Sequence, residues 1–307
     1  MSREPEGSPH VSVVVPTHDR ARLLREVVRA WRSVAPSSAS VEVVVVDDGS
    51  SDDTPAVLAA LATEDHRVPV RHVRQPRRGL AAARNAGIEA ARGRLLMFCD
   101  DDILPRSPDV MARHLARQEA QPDAWVSRLV VPDELVRTPF QAYWRRRLEG
   151  GTARYRDGSR LGMGGFWFAT LSLPRELLAG DRFSEEFTGY GWEEHELGYR
   201  LHRRGVRARF LRSAQVEHRD AVDFHSMRDK FRRMGEAAWT FTRLHPGREV
   251  ALWTGTHRVS RAVKRLAGQE RRAARLLARR SVDELTDSQY ALCLEAAYAQ
   301  GLREGRP

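Results

Sequence analysis

The stretch VEVVVVDDGS, residues 41–50, is an apolar run that ends on two aspartates and a polar turn. Because β-branched valines favour extended backbone, Val41–Val46 is predicted to be a strand buried on both faces of a sheet. Apolar residues at helical spacing follow in Thr54–Ala62. A buried strand joined to a helix by a polar turn is typical of an α/β protein with a parallel sheet.

The same alternation of strand and helix continues on both sides of this stretch. Further strands are predicted at Val11–Val15, Val70–Arg74 and Arg94–Phe98, and further helices at Arg22–Val34 and Gly79–Ala91. Right-handed crossovers place such helices on both faces of a parallel sheet. We therefore expect a doubly wound, Rossmann-like, mostly parallel sheet in the first hundred residues.

The rest of the chain departs from this alternation. A helix is predicted at Ser107–Gln121, a strand at Ala124–Val131, a mobile glycine-rich loop at Gly150–Gly165, a helix at Glu194–Arg204 and a short strand at Arg207–Leu211. Beyond about Asp223 the pattern is helical, at Asp223–Leu244, near Arg258–Arg280 and at Val282–Leu302. The fold class expected is therefore α/β with a C-terminal helical extension.

The composition is that of a globular protein, with 41% hydrophobic and 30% charged residues. No segment approaches the roughly 20 consecutive apolar residues of a membrane-spanning helix, and Met1–His10 lacks the apolar stretch of a secretory signal. Cys99 and Cys293 lie far apart in unrelated contexts, which argues against a disulfide framework or a zinc site. We expect a soluble, cytoplasmic protein, peripheral to the inner face of the membrane at most.

The formal charge of +10 is unevenly distributed, since nearly all of the surplus lies in residues 225–307. A basic helical segment indicates peripheral contact with an anionic membrane surface, pairing with a second copy of the chain, or simply a solvated face. Nucleic acid is not expected as a partner, because the segment lacks interleaved aromatic stacking platforms.

Acidic side chains follow three of the predicted strands. Asp19 follows the first, Asp47 and Asp48 follow the second, and the run Asp100–Asp102 follows the fourth. The carboxyl ends of parallel strands share one edge of the sheet, so these carboxylates are expected to gather there. Since crowded carboxylates repel each other, a divalent cation such as Mg²⁺ or Mn²⁺ is predicted at this edge.

The loop after the first strand indicates how a nucleotide would be held. It contains neither G-x-G-x-x-G nor G-x-x-x-x-G-K-[ST], so a nucleoside diphosphate would be bound through the metal. Asp48 would then be free to hydrogen-bond the base, and Asp100 the ribose. The alternative for residues 47–50 is a turn that only caps a helix.

Five short motifs stand in order along the chain: Val13–Thr17; Val45–Ser50 with Asp52 and Thr54; Gly79-Leu80 with Ala83-Arg84-Asn85; Asp100–Asp102; and Gly191–Glu194 with Glu196–Leu201. Their order and spacing, over roughly residues 11–218, resemble the family 2 inverting glycosyltransferases of GT-A fold. The resemblance implies metal-dependent transfer of a sugar from a nucleotide-sugar donor to an acceptor hydroxyl. A UDP-sugar is expected first, with GDP- and dTDP-sugars as alternatives.

The resemblance also assigns binding residues. Those implied to bind the donor are Pro16, Thr17, Asp19, Asp48, Arg84, Asp100 and Asp101. Those implied to bind the metal are Asp102, Asp100 and His218, although a lone histidine is more often structural. The acceptor is expected to be a saccharide, a lipid-linked compound or a small molecule, as in the synthesis of a polysaccharide or glycoconjugate.

Glu193 and Glu194 occupy the place of the family's Glu-Asp pair, whose second member is the general base. Glu194 is thus expected to take the acceptor proton in an in-line displacement that inverts the anomeric carbon. Alternatively, both glutamates serve only as favourable acids in the first turn of a helix. Trp167 and Trp192 are expected to line the acceptor site, and Phe168 to lie in the core.

Two departures from the family pattern bear on these roles. His18 and Asp19 stand where the family commonly has Tyr and Asn, within a Pro-Thr-Tyr-Asn-Arg motif. The expected base is Glu194 rather than an aspartate, and its side chain is one methylene longer. Both changes alter the local reach of side chains without removing the chemistry.

The resemblance divides the chain into a GT-A domain of residues 1–222 and a basic helical extension of residues 223–307. Within the first, residues of about 11–105 are expected to bind the nucleotide, and residues of about 106–222 to supply the acceptor site and catalysis. Two other functions stay open: a nucleotidyltransferase of related fold, and a catalytically inactive nucleotide-sugar-binding or scaffold protein.

Overall fold

A computed structural model describes residues 9–64, 67–266 and 268–306. The chain folds into two compact units. The first comprises Met1–Val131, Gly151–Glu185 and Glu194–Arg219, and the second Pro132–Gly150, Glu186–Glu193 and Asp220–Pro307. Two short segments that the sequence analysis placed before residue 222 therefore belong to the second unit, and the division into functional domains stays a prediction.

Within the described residues of the first unit, eight strands form one sheet. They are β1 (Val11–Thr17), β2 (Val41–Asp47), β3 (Val70–Arg74), β4 (Leu95–Phe98), β5 (Ile103–Pro105), β6 (Ala124–Val130), β7 (Leu171–Pro174) and β8 (Ala208–His218). Their spatial order is β3-β2-β1-β4-β7-β6-β8-β5. The strands β1 to β4 pair in parallel as predicted. Because β7 is antiparallel to both β4 and β6, the whole sheet is mixed.

The sheet is covered by apolar residues on both faces. The valines of β2 alternate between two apolar clusters, with Val43 and Val45 in one and Val44 in the other. This follows from the period of two in an extended chain. A strand buried on both faces must be apolar at nearly every position, which is why the run in residues 41–46 identified it so clearly.

Helices surround this sheet and form most of the second unit. In chain order they are α1 (Ala21–Ser33), α2 (Thr54–Thr63), α3 (Leu80–Ala90), α4 (Val110–Ala120), α5 (Pro139–Thr152), α6 (Glu193–Arg203), α7 (Phe224–Leu244), α8 (Arg248–Trp253), α9 (Arg258–Leu266), α10 (Gln269–Leu277) and α11 (Asp287–Glu304). The helical C-terminal segment is as predicted, but its stretch near Arg258–Arg280 is two helices, with Ala267 outside the described residues.

The second unit has its own core. The rings of Phe140, Tyr143, Phe224 and Tyr290 contact one another, with Phe140 and Tyr290 centroids 5.2 Å apart. The helices α7 and α11 approach closely because Gly301 lies against the backbone: a Cβ there would be 1.8 Å from the carbonyl oxygen of Arg232. The predicted extension is therefore a packed helical unit rather than a loose tail.

Two expectations about local structure are wrong, and one helix was not predicted. The segment Gly150–Gly165 is not a single glycine-rich loop, because α5 continues to Thr152 and a short 3₁₀ turn forms at Met163–Gly165. The last sheet strand does not end at Leu211 but continues to His218, where pairing with β5 extends it. The helix α5 itself was not predicted, because its apolar residues Phe140 and Tyr143 lie among arginines and glycines.

None of the helices within residues 9–64, 67–266 and 268–306 combines the length and apolar character that a membrane span requires. Of the segment Met1–His10, only the last two residues are described. Cys99 and Cys293 are both buried, and neither forms a disulfide within the described residues.

Candidate active site

The predicted metal ligands Asp102 and His218 meet at one edge of the sheet. The strand β5 pairs antiparallel with β8 so that Ile103 lies opposite His218, which places the preceding Asp102 beside the histidine. His218 Nε2 lies 3.7 Å from Asp102 Oδ2, and Arg20 Nη1 lies 3.8 Å from the same oxygen. Both side chains are partly exposed, so a ligand can reach them.

These two side chains fit a divalent cation that takes further ligands from a substrate. A carboxylate and an imidazole are both common ligands of divalent metals. Among the described residues, no three His, Cys, Asp or Glu side chains are gathered into a metal site. Asp100, the other predicted ligand, pairs through Oδ1 with Arg84, and its role as a metal ligand stays a prediction. The pair Asp102 and His218 is the first metal-binding candidate.

Asp101 is turned inward. Its Oδ2 accepts a hydrogen bond from the Thr17 hydroxyl at 2.7 Å. Desolvation raises the pKa of Asp101 to about 7, and the hydrogen bond from Thr17 opposes this shift. Thr17 and Asp101, predicted to bind the donor, thus join the ends of β1 and β4 across 84 residues of sequence.

Arg84 links the acidic run to the predicted base. Its side chain is fully buried on α3. One nitrogen, Nη2, lies 2.8 Å from Asp100 Oδ1 and 2.6 Å from Glu194 Oε1. The guanidinium also lies over the ring of Phe183, 5.4 Å from its centroid. A single buried cation therefore orients two carboxylates from different parts of the chain.

Glu194 is held at both oxygens. Its Oε2 accepts a hydrogen bond from the backbone N–H of Phe168 at 3.1 Å, and its Oε1 pairs with Arg84. These contacts fix the orientation of its carboxylate, which is 18% exposed. Glu193 begins α6, belongs to the second unit and is buried.

Asp48 is not free, contrary to expectation. Its Oδ1 accepts from Gln75 Nε2 at 2.7 Å and from the backbone N–H of Arg78 at 2.8 Å, while Oδ2 accepts from the N–H of Gly79 at 2.8 Å. Asp48 therefore orders the loop that leads into α3. Because this leaves about one lone-pair site on Oδ2, contact with a base stays a prediction.

Asp19 connects the loop after β1 to the loop after β2 through hydrogen bonds. It adopts a left-handed backbone with φ of 52°, which aspartate tolerates better than most residues. Its Oδ1 accepts from the backbone N–H groups of Ser51 and Asp52, and the Ser51 bond above all holds the pKa of Asp19 below its usual value. Pro16 is buried within β1.

Three aromatic residues were expected at the acceptor site or beside it in the core. Phe168 is fully buried in the core, as expected, and Trp167 is partly buried against it. Trp192 is 8% exposed, donates from Nε1 to the carbonyl oxygen of Met234, and packs on Phe241. It lines a cleft of about 420 Å³ in the second unit, and its place at the acceptor site stays a prediction. Its φ of 74° is strained for a tryptophan.

No role was predicted for Arg20 or Gln75 from the sequence. Arg20 directly follows Asp19, at the last position of the Pro-Thr-Tyr-Asn-Arg motif, and this place in the motif was the signal available. Gln75 stands in a loop of no recognised pattern, so nothing in the sequence indicated that its amide would bind Asp48.

Comparison with protein families and curated proteins gives a consistent result. The model of "Glycosyl transferase family 2" matches residues 12–173. Validoxylamine A glucosyltransferase of Streptomyces hygroscopicus subsp. jinggangensis is 35% identical over 224 residues, which cover 64% of this chain and 52% of that protein. The chain thus spans about half the length of this relative.

Solved structures of GT-A glycosyltransferases share the fold. The mannosyltransferase PcManGT from Pyrobaculum calidifontis, solved with GDP-Man and Mn²⁺, has a TM-score of 0.63 at 20% identity, covering 99% of this chain and 90% of that one. Residues 1–349 of S. aureus TarS, with UDP-GlcNAc, give 0.53 at 18% identity, covering 75% and 65%. The predicted fold class is confirmed. Since the family model matches more than half of the residues, the chain belongs to glycosyl transferase family 2.

Proposed function

We propose that the protein is a metal-dependent glycosyltransferase that moves a sugar from a nucleoside-diphosphate sugar to an acceptor hydroxyl, with inversion at the anomeric carbon. The observation that carries this proposal is the link from the acidic run to Glu194 through Arg84 Nη2, with separations of 2.8 and 2.6 Å. This link joins Asp100, in the proposed diphosphate-binding run, to Glu194, the proposed general base, within the first unit. The family membership of the chain supports the same chemistry.

The donor would lie along the ends of β1, β2 and β4. Thr17, Asp48 and Arg84 are proposed to contact the nucleotide, with the loops that Asp19 and Asp48 order forming its walls. Asp102 and His218 would hold the divalent cation, which stabilises the nucleoside diphosphate as it leaves. The solved neighbours named above contain GDP-Man or UDP-GlcNAc, and one contains Mn²⁺. The name of the glucosyltransferase relative makes a glucosyl donor the first to test.

Glu194 is the proposed general base. The amide of Phe168 and the guanidinium of Arg84 fix its partly exposed carboxylate, and a general base requires a carboxylate held in one orientation toward the attacking hydroxyl. Glu193 precedes it in the first turn of α6 and is proposed to support the turn. Attack from the face opposite the leaving group would invert the configuration.

Calorimetric titration with UDP, GDP and dTDP, each with Mn²⁺ and with EDTA, tests the donor site. We expect one nucleotide to bind only with metal, and Asp102→Ala to weaken that binding by at least tenfold, as for loss of a charged ligand. The matched control is Asp109→Ala, since Asp109 is an exposed carboxylate paired with Arg113. No binding of any nucleotide would overturn the proposal.

The catalytic assignment needs a second variant. Glu194→Gln keeps the size of the side chain and removes its basicity. We expect it to retain nucleotide binding and to lower hydrolysis or transfer of the cognate sugar donor about 100-fold, the usual effect of losing a general base. Unchanged turnover by Glu194→Gln would exclude Glu194 as the base, and loss of both binding and turnover would indicate a structural role.

A further inference from the structure

The helical unit contains a cleft of about 540 Å³ between α9, α10 and the C-terminal end of α11. Its cationic lining residues come from all three segments: Arg261, Lys264, Arg271, Arg303 and Arg306. Among its lining residues that the structure describes, Glu270 is the one carboxylate. A cleft of this size suits a small ligand, and its lining is strongly biased toward positive charge.

Contacts within the unit neutralise part of this charge. Glu270 pairs with Arg303, and Lys264 Nζ lies 3.1 Å from Glu295 Oε2. Arg261 donates to the carbonyl oxygen of Thr256, and its guanidinium lies over the ring of Trp239, 5.2 Å from the centroid.

Two of the cations are not balanced in this way. Arg271 and Arg306 are exposed and have no carboxylate within ion-pair distance among residues 9–64, 67–266 and 268–306. Guanidinium groups bind phosphate oxygens through paired hydrogen bonds. The N-cap Gly268 and the first residues of α10, Gln269 to Arg271, also line the cleft, and the positive end of the helix dipole adds to the potential there.

We propose that this cleft binds the phosphate or diphosphate group of a ligand. Such a group occurs both in the headgroup of an anionic phospholipid and in a soluble phosphorylated compound. The helix α9 presents Val259 and Val263 to solvent, 62% and 59% exposed, together with exposed Arg258. Apolar and basic residues that share a solvent face are typical of a helix at a membrane surface, which makes the lipid headgroup the favoured source.

The first experiment measures binding of a diphosphate, the group that both sources share. The protein is titrated calorimetrically with inorganic pyrophosphate at low salt in the presence of EDTA. Under these conditions a metal-dependent donor site does not bind pyrophosphate. We expect binding of one pyrophosphate per chain, weakened about tenfold in Arg271→Ala/Arg306→Ala, because two charged hydrogen-bonding groups are lost. The control is Arg279→Ala/Arg280→Ala, which removes two exposed arginines that do not line the cleft.

The second arm distinguishes the two sources. Co-sedimentation is measured with vesicles of phosphatidylcholine alone and of equimolar phosphatidylcholine and phosphatidylglycerol. A lipid headgroup source predicts binding to the anionic vesicles only, lowered several-fold by Arg271→Ala/Arg306→Ala and by Val259→Ser/Val263→Ser. Binding of pyrophosphate without binding of vesicles supports the site and assigns it to a soluble phosphate compound.

Two results would overturn the proposal. One is the absence of both pyrophosphate and vesicle binding. The other is an equal loss in the cleft variant and in the Arg279→Ala/Arg280→Ala control, because equal losses would mean that overall charge, and not the cleft, attracts the anion. Circular dichroism and thermal unfolding of each variant confirm that the helical unit remains folded.

Discussion

Replacing Arg84 by methionine removes the buried cation that links Asp100 to Glu194. Methionine has a similar length and can keep the apolar contact with the ring of Phe183, so that no large cavity forms. The loss is then mainly electrostatic. It affects two carboxylates, since Nη2 lies 2.8 Å from Asp100 Oδ1 and 2.6 Å from Glu194 Oε1.

The magnitude follows from burial. Breaking a fully buried ion pair by removing one partner costs about 3–5 kcal/mol. Here Asp100 and Glu194 are 30% and 18% exposed, so water recovers part of their solvation once the cation is absent. We expect the free energy of unfolding to fall by about 2–3 kcal/mol, and the Tm to fall by about 5–10 °C.

The assay is urea unfolding at neutral pH, with Arg113→Met as the matched control. Arg113 pairs with Asp109 on the surface of α4, and the two side chains are 43% and 45% exposed. A surface pair of this kind contributes about 0.3–0.5 kcal/mol. A double-mutant cycle of Arg84→Met with Asp100→Asn isolates the pair, and we expect a coupling free energy of about 1 kcal/mol or more.

A loss for Arg84→Met within about 0.5 kcal/mol of that for Arg113→Met would refute this reasoning, because that difference is the usual error of such comparisons. It would mean that solvent screens the carboxylates at the sheet edge as effectively as it screens a surface pair. A coupling near zero in the double-mutant cycle would refute the specific link to Asp100.

Two further predictions concern stability. Burial lowers the pKa of His114 to about 3. Because the unfolded chain binds this proton below about pH 6.5, we expect the stability contribution of His114 to be complete above that pH and to fall by about 1.4 kcal/mol per pH unit as the pH drops toward 3. Urea midpoints at pH 7.5 and 5 should show a smaller pH effect in His114→Gln, and equal pH effects would contradict the assignment. In Gly87→Ala the new Cβ would lie 2.4 Å from Cγ1 of buried Val14, so we expect a loss of about 1–3 kcal/mol. In Gly150→Ala the Cβ meets nothing within 4 Å, so we expect a gain of up to about 1 kcal/mol. The same unfolding assay compares the two, and a loss in both would show that helix packing is not the cause.

Local sequence was sufficient to predict the first half of the sheet. The valine runs of β1 and β2 lie buried on both faces, where only apolar side chains are stable, and aspartates follow where the strands end. Strand ends and acidic loops were therefore predictable together, and the parallel pairing of β1 with β2 and β4 places these loops at one edge of the sheet. The helical nature of residues after 223 followed from periodicity in the same way.

The contacts between distant segments were not predictable in this way. His218 reaches Asp102 only because β5 pairs with β8 in one register. Arg84 reaches Glu194, 110 residues further along the chain, because both residues fold into the first unit. Of the groups that bind Asp48, only Gly79 belongs to a recognised motif, whereas Gln75 and Arg78 precede it in a loop whose sequence has no recognisable pattern.

The sequence by itself determined which residues become buried strands and which carboxylates end them, because burial and backbone preference are decided largely by neighbouring side chains. Only the tertiary structure decided the mixed strand order, the register of β5 on β8 and the partner of each charged group. Pairing between remote segments depends on the sum of many nonlocal contacts, and a shift of one residue in that pairing would turn His218 to the opposite face of the sheet.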